Sequence, residues 1–126
     1  MSEQVKYLVS IPELGVSKAK SAEGWIEWKV TVKHKSGGIG PFDVTVTIYV
    51  NGASIGSRSG TIQSPGGSVS LPSINWTIPG AGTYSVKVVG TITDETTGLS
   101  GTGQVSLTVI VEEVTAPEIE IIIEVG

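Results

Sequence analysis

The side chains that carry most enzyme chemistry are scarce in this sequence. The chain has 126 residues, with no Cys and a single His, His34. Without cysteine there is no disulfide framework, no thiolate zinc site and no cysteine nucleophile, and one histidine excludes a histidine-based metal cluster within one chain. His34 lies between Lys33 and Lys35 near the end of a predicted strand. We expect a structural or solvent-exposed role for it.

The carboxylates form no catalytic or metal-binding motif. Asp94 and Glu95 are adjacent, but two adjacent acids lack the spaced pattern of a calcium-binding loop. Asp43 and Asp94 are the only aspartates, whereas a glycosidase needs two carboxylates positioned in a cleft. The glycine-rich stretch 36–40 connects two predicted strands and opens no helix, unlike a phosphate-binding loop. We therefore predict no enzymatic activity, no cofactor and no metal.

Three surface positions are candidates for contacts with a ligand. Trp25 and Tyr49 fall on outward-facing strand positions, where aromatic rings can stack on a sugar or anchor a protein partner. The alternative is that both rings pack against loops or against the C-terminal end of the chain. Asn75-Trp76-Thr77 is an N-glycosylation acceptor pattern, and it places Asn75 on the face opposite Trp76. Carbohydrate is thus a candidate ligand or modification.

The charge distribution excludes several classes of partner. The net charge is −4, and residues 112–126 hold five glutamates and no basic residue. The near-neutral remainder lacks the basic stripe that nucleic-acid binding needs, and no apolar run reaches the roughly 20 residues of a membrane span. The start, Met1-Ser2-Glu3-Gln4, is unlike a signal peptide. It predicts a chain that stays in the cell, or leaves by lysis or in processed form. The composition also suits a thermophilic source.

Alternating apolar and polar residues predict about seven strands with turns every 8 to 12 residues or so. Asn51-Gly52 suits a tight type I′ hairpin turn, and a bulge at Pro72-Ser73 keeps both halves of one strand facing inward. A Gly/Thr loop is expected at 94–103, and an edge strand at 53–62. The pattern predicts an all-β, antiparallel, immunoglobulin-like β-sandwich over residues 1–114, with strands at 5–11, 25–33, 42–50, 53–62, 69–78, 84–92 and 105–111.

Four features between residues 43 and 89 occur together: the Asn51-Gly52 hairpin, the Pro65-Gly66-Gly67 turn, Trp76 in NWTIPG and Tyr84 in GTYSV. In this combination the segment resembles the cell-adhesion-related (CARDB-type) domain, an immunoglobulin-like, fibronectin type III-like β-sandwich. The resemblance implies a non-catalytic module of surface or adhesive proteins. It also places Tyr84 at a tyrosine corner, with its hydroxyl bonded to backbone. It leaves residues 112–126 uncovered.

Residues 115–126 are predicted to form an additional C-terminal strand. Ala116-Pro117 interrupts the preceding strand, and one face of residues 118–126 consists of Ile119, Ile121, Ile123 and Val125. Burying these four side chains contributes on the order of 6 to 10 kcal/mol, at about 1.5 to 3 kcal/mol each. An exposed strand of this kind promotes aggregation. We therefore expect it to pair, either with the edge of its own sandwich or with a neighbouring copy.

These observations favour a non-enzymatic structural protein that assembles with itself, or with other assembly proteins, through β-strand pairing. The expected location is a virion surface, an appendage or a cell surface. The alternative function is a cell-surface adhesion module that binds carbohydrate or protein through Trp25, Tyr49 or the loop at 94–103.

Overall fold

The structure, a computed structural model, describes residues 6–14, 16–22, 24–114 and 117–126. Within these ranges all strand pairing is antiparallel and there is no α-helix, only a 3-10 turn at Pro12–Leu14. The prediction of an all-β fold is confirmed. The strands are β1 (Lys6–Ile11), β2 (Val16–Ala22), β3 (Trp25–Trp28), β4 (Thr31–Lys33), β5 (Phe42–Val50), β6 (Ala53–Ile62), β7 (Ser68–Ser70), β8 (Ile74–Thr77), β9 (Gly82–Asp94) and β10 (Ser100–Val114).

The strands form two layers of unequal size. A large sheet of six strands has the order β2-β1-β10-β9-β5-β6. The small layer consists of two short pairs, β3 with β8 and β4 with β7. Trp28, Ile74 and Trp76 of the small layer belong to one buried cluster with Ile48 and Val109 of the large sheet. The core therefore lies between two packed layers, as in a β-sandwich.

A second buried cluster completes the core at the other end of the sandwich. Phe42, Val44, Val46 and Ile62 of the large sheet pack there with Leu71. Two glycines of β6 allow the small layer to approach closely. A Cβ on Gly56 would meet Ile74 at 3.1 Å, and one on Gly60 would meet Leu71 at 2.8 Å. The small layer thus lies against the β6 side of the large sheet.

The predicted strand at 25–33 has a short interruption opposite a bulge. Trp28 is the partner of Ile74, but two residues later Val30 accepts a hydrogen bond from Leu71. Two residues, Pro72 and Ser73, therefore lie opposite the single residue Lys29, so the bulge is at Pro72-Ser73, as predicted. Residues 25–33 keep their alternation through the interruption.

The hairpin turn between β5 and β6 has the expected geometry. Asn51 has a φ of 50° and Gly52 a φ of 85°, as a type I′ turn requires. Asn51 also exchanges backbone and side-chain hydrogen bonds with Ser85, both at 2.8 Å. The turn thereby tethers the hairpin to β9. β6 is an edge strand of the large sheet, as its weak pattern predicted.

Two sequence-based predictions of strand position are wrong. β2 was not predicted, because its Ser- and Lys-rich sequence shows little apolar alternation; its backbone is held by pairing with β1. The loop at 94–103 is shorter than predicted, since Ser100 to Gly103 pair with Thr93 to Gly90. Ladder hydrogen bonds there outweigh the low strand propensity of glycine. The first predicted residue of strand one, Val5, lies outside the described residues.

Candidate functional site

The C-terminal segment, residues 117–126, has no strand partner in the part of the chain that the structure describes. Its apolar side chains range from 75% exposed, at Ile121 and Ile122, to 94% exposed, at Val125. Ile119 and Ile123 lie within this range. Residues 115 and 116, which include half of the expected Ala116-Pro117 break, lie outside the described residues. A strongly apolar segment is thus solvent-exposed in the single chain.

The small layer has a free edge along β3 and β4. Gly24 accepts a hydrogen bond from Ile78, Val30 accepts one from Leu71, and His34 donates one to Gly67. Along an antiparallel strand, the backbone N–H and C=O groups of successive residues point alternately toward the paired strand and away from it. Backbone N–H and C=O groups of the intervening residues therefore point away from β7 and β8. No described strand pairs on that side, so we define the free edge by Trp25, Glu27, Lys29, Thr31 and Lys33.

Apolar groups next to the free edge are incompletely covered. Ile26 of β3, Val32 of β4 and Val30 between them face the core but are only half-buried, whereas Trp76 on the neighbouring strand is buried. On β10 of the large sheet, Val105 lies on the same inward face as the buried Leu107, Val109 and Val111. It is nevertheless 57% exposed. The small layer therefore leaves part of the large sheet uncovered.

A cavity lies at one end of this uncovered region. Its volume is about 220 Å³, and it is bounded by the chain just after β4 and by the β9–β10 hairpin. Ile92, Leu99 and Gly101 form part of its lining. We call the incompletely covered region marked by the free edge, exposed Val105 and this cavity the groove.

The outward side of the free edge carries positive charge. Lys29 and Lys33 alternate with Thr31 and are exposed. Lys29 lies 3.6 Å from Glu27, and its side chain is 81% exposed, so this surface ion pair neutralises it weakly. Two cations therefore remain at the surface, facing outward along the free edge.

Trp25 and Tyr49 lie on opposite outer faces of the sandwich. Trp25 is opposite Thr77 in the small layer and 50% exposed. Tyr49 is opposite Lys87 in the large sheet and half-buried. The two rings cannot contact one ligand together. Asn75 is exposed on β8 and alternates with buried Trp76, as predicted.

His34 is buried, so of its two expected roles the structure shows the structural one. It is 6% exposed, and its ring stacks on Phe42 with the centroids 4.2 Å apart. Nδ1 accepts a hydrogen bond from the Gly66 N–H at 2.9 Å, and Nε2 lies 2.6 Å from the Gly37 carbonyl oxygen. Both nitrogens are used by loop backbone, so the ring joins two loops to the core. Its function in the fold is structural.

Asp94 connects the same loop region to the end of β9. Its carboxylate accepts hydrogen bonds from the N–H of Ile39 at 2.8 Å, of Gly40 at 3.2 Å and of Thr96 at 3.0 Å, and from the Thr97 hydroxyl at 3.0 Å. From the sequence, Asp94 was a weak candidate for a calcium ligand and for one carboxylate of a glycosidase pair. The Thr96-Thr97-Gly98 sequence, which begins two residues after Asp94, is the signal for this turn, because aspartate accepts from nearby backbone in such sequences.

The charge state of this loop region depends on these contacts. The Ile39 N–H holds the pKa of Asp94 below its ordinary value, and the donors from Thr96, Thr97 and Gly40 act in the same direction against the opposing effect of burial. A side-chain hydrogen bond to Asp43 raises the pKa of Glu95, together with partial desolvation and repulsion from both neighbouring aspartates. Among described residues, no three His, Cys, Asp or Glu side chains converge as a metal site. The hydrogen bonds of Asp94 thus stabilise the loop that contains Ile39 and Gly40.

No family model, curated protein or solved structure matches the chain. The described residues include no helix that is long and apolar enough to cross a membrane.

Proposed function

We propose that this chain is a non-enzymatic structural protein that assembles with copies of itself by pairing its C-terminal segment as a β-strand. One observation carries the proposal: the alternating Ile119, Ile121, Ile123 and Val125 are exposed, although the sandwich already has a buried core. Exposed apolar strands promote association because apolar surface and unpaired backbone groups are both costly in water.

The body of the protein supports a separate role for the segment. Neither core cluster contains a residue of 117–126. The sandwich at 1–114 and the extension at 115–126 are therefore two units with different functions: the first folds, and the second connects copies.

The outer face of the large sheet supports a place on a virion surface, an appendage or a cell surface. Some of its side chains pair as neutral hydroxyls across strands, with Thr45 and Ser59 at 3.2 Å and Thr93 and Ser100 at 2.9 Å. The resemblance to CARDB-type sandwiches supports the same non-catalytic role, and Tyr84 makes the corner contact which that resemblance implies.

Native mass spectrometry of the full chain beside a chain ending at Val114 tests the proposal. We expect the full chain to form oligomers and the shortened chain to be a folded monomer. Ile121→Lys, on the apolar face, should abolish the oligomer because it places a charge in the interface. The matched Ile122→Lys, on the other face, should preserve it. A shortened chain that stays oligomeric overturns the proposal, as does one that unfolds.

The half-exposed Trp25 favours a second candidate function, a cell-surface adhesion or carbohydrate-binding module. A glycan array probed with the full chain and with Trp25→Ala separates this function from assembly. Binding that disappears in Trp25→Ala would favour the second candidate, while an array without signal would exclude carbohydrate as its ligand.

A further inference from the structure

We infer that the free edge along β3 and β4 of a second copy is the acceptor for the C-terminal segment, which adds there as the missing strand of the small layer. This inference rests on the proposed function. It specifies where the segment binds and in which register, with the antiparallel direction that all described strand pairs share.

The lengths and backbone groups of donor and acceptor agree. The predicted donor strand, residues 118–126, and the acceptor, residues 25–33, have nine positions each. Along the acceptor, residues such as Thr31 and Lys33 direct N–H and C=O groups outward. With Ile122 opposite Thr31, an added strand can therefore continue the hydrogen-bond ladder with residues 120–126 beside residues 27–33.

The apolar face of the segment matches the uncovered part of the core. Strand addition directs Ile119, Ile121 and Ile123 into the groove next to the half-buried Val30 and above the exposed Val105. This covers apolar surface on both chains. The same layer has an unmet hydrogen bond, since Trp28 Nε1 is buried and has no acceptor among the described residues. Buried tryptophan N–H groups usually have an acceptor.

Charge complementarity selects the register. In an antiparallel arrangement with Ile122 opposite Thr31, Glu120 lies opposite Lys33 and Glu124 opposite Lys29, all on the outward face. Opposite charges across strands stabilise pairing, and like charges destabilise it. Sliding the segment two residues toward β3 places Glu124 opposite Glu27. A slip of one residue turns the isoleucines outward.

The edges along β6 and along β7 and β8 lack this complementarity. β6 presents Ser57 and Ser59 on its outward face, and Arg58 on that strand donates instead to the carbonyls of Ser57 and Ser73. β7 and β8 present Ser68, Ser70, Asn75 and Thr77. Neither edge offers a lysine to the three glutamates of the segment.

Disulfide trapping tests the acceptor directly, because the natural chain has no cysteine. Full-length Thr31→Cys and full-length Ile122→Cys are mixed, dissociated, reassociated and oxidised with copper phenanthroline. Residues opposite each other in this register lie about 5.5 Å apart at Cα, within the roughly 4.4–6.8 Å range of disulfides. We expect most of the mixed chains to form a disulfide-linked heterodimer that reducing agent separates.

Matched mixtures of Ile122→Cys with Ser59→Cys, on β6, and with Asn75→Cys, on β8, are the controls, and we expect little heterodimer from either. A heterodimer formed preferentially with Ser59→Cys or Asn75→Cys would show that the acceptor is assigned incorrectly. It would still agree with assembly through the C-terminal segment. If oligomers form but none of the three cysteine mixtures gives a heterodimer, the assignment of the acceptor is also overturned. A full chain that is monomeric in native mass spectrometry overturns the proposed function as well.

Discussion

Ile39 donates its backbone N–H to the Asp94 carboxylate at 2.8 Å, across 55 positions of sequence. This contact joins the glycine-rich loop after β4 to the end of β9. It fixes one wall of the cavity beside the free edge, because Gly37 and Gly38 of that loop also line the cavity.

We expect the contribution of Asp94 to stability to depend on pH. Its pKa in the folded chain is lowered, chiefly by the Ile39 N–H, so the folded state favours the ionised form. The stabilisation is present above the unfolded pKa of about 3.9 and is lost as pH falls through the lower folded value. Melting curves of the wild type and Asp94→Asn should therefore differ at pH 7 and converge under acid conditions. Glu113→Gln, at an exposed position on β10, is the control. Curves that differ equally at all pH values would contradict this interpretation.

Tyr84→Phe isolates the hydroxyl of the tyrosine corner. The hydroxyl donates to the Gly80 carbonyl at 2.6 Å. The ring packs edge-on against Trp76, with the ring centroids 4.9 Å apart. Removing the hydroxyl should lower the free energy of unfolding by about 0.5–1.5 kcal/mol, measured by urea denaturation. Tyr49→Phe, on the outer face of the large sheet, should have little effect. Equal losses in both variants would show that the corner contact is unimportant.

Trp28→Ala and Trp76→Ala should each cost about 3–5 kcal/mol, as deletions of large aromatic core residues do. Both rings are 8% exposed and pack in the same cluster. Trp25→Ala removes the same side chain from a half-exposed position and should cost much less. Chemical denaturation with fluorescence of the remaining tryptophans measures all three. Unchanged midpoints for the two core variants would mean that the inward face is assigned incorrectly.

Gly60→Ala should destabilise the protein by about 1–3 kcal/mol through overpacking. A Cβ there would lie 2.8 Å from Leu71 and 3.2 Å from Val69, side chains of the small layer. Gly103→Ala is the matched control, because nothing lies within 4 Å of a Cβ at that position. It should be neutral, or stabilising by about 0.5–1 kcal/mol. Thermal melts of the two variants give the comparison, and a tolerated Gly60→Ala would mean that the layers separate easily.

The sequence predicted the parts of the fold in which side-chain pattern and backbone structure agree. The alternation of β5 and the Asn51-Gly52 turn are specified by local residues, so both were located correctly. β2 depends on its pairing with β1 rather than on an apolar face of its own. The Gly101 and Gly103 positions of β10 are strand only because β9 pairs with them. Tertiary pairing of this kind leaves no local pattern to read.

The candidate site was predictable in part. The exposed apolar face of the C-terminal segment is a sequence property, and so is the lysine alternation at Lys29 and Lys33. The free edge was not predictable, since it depends on β1 joining β10 rather than β3. For His34 the sequence left a structural and a solvent-exposed role open, because its flanking lysines indicated nearby solvent. Its burial results from the loop backbone groups that its ring bonds.

The unpaired edge of the small layer also determines the symmetry of any assembly it supports. Donor and acceptor are different surfaces of one chain, so the contact is heterologous and each added copy presents a new vacant partner site. Such a contact produces rings when its rotation closes and polar filaments when it does not. A filament has one terminus with an open groove and another with an unbound strand. A peptide with the sequence of residues 118–126 would then occupy the groove at the filament terminus and on free chains alike, and should therefore stop elongation at both termini.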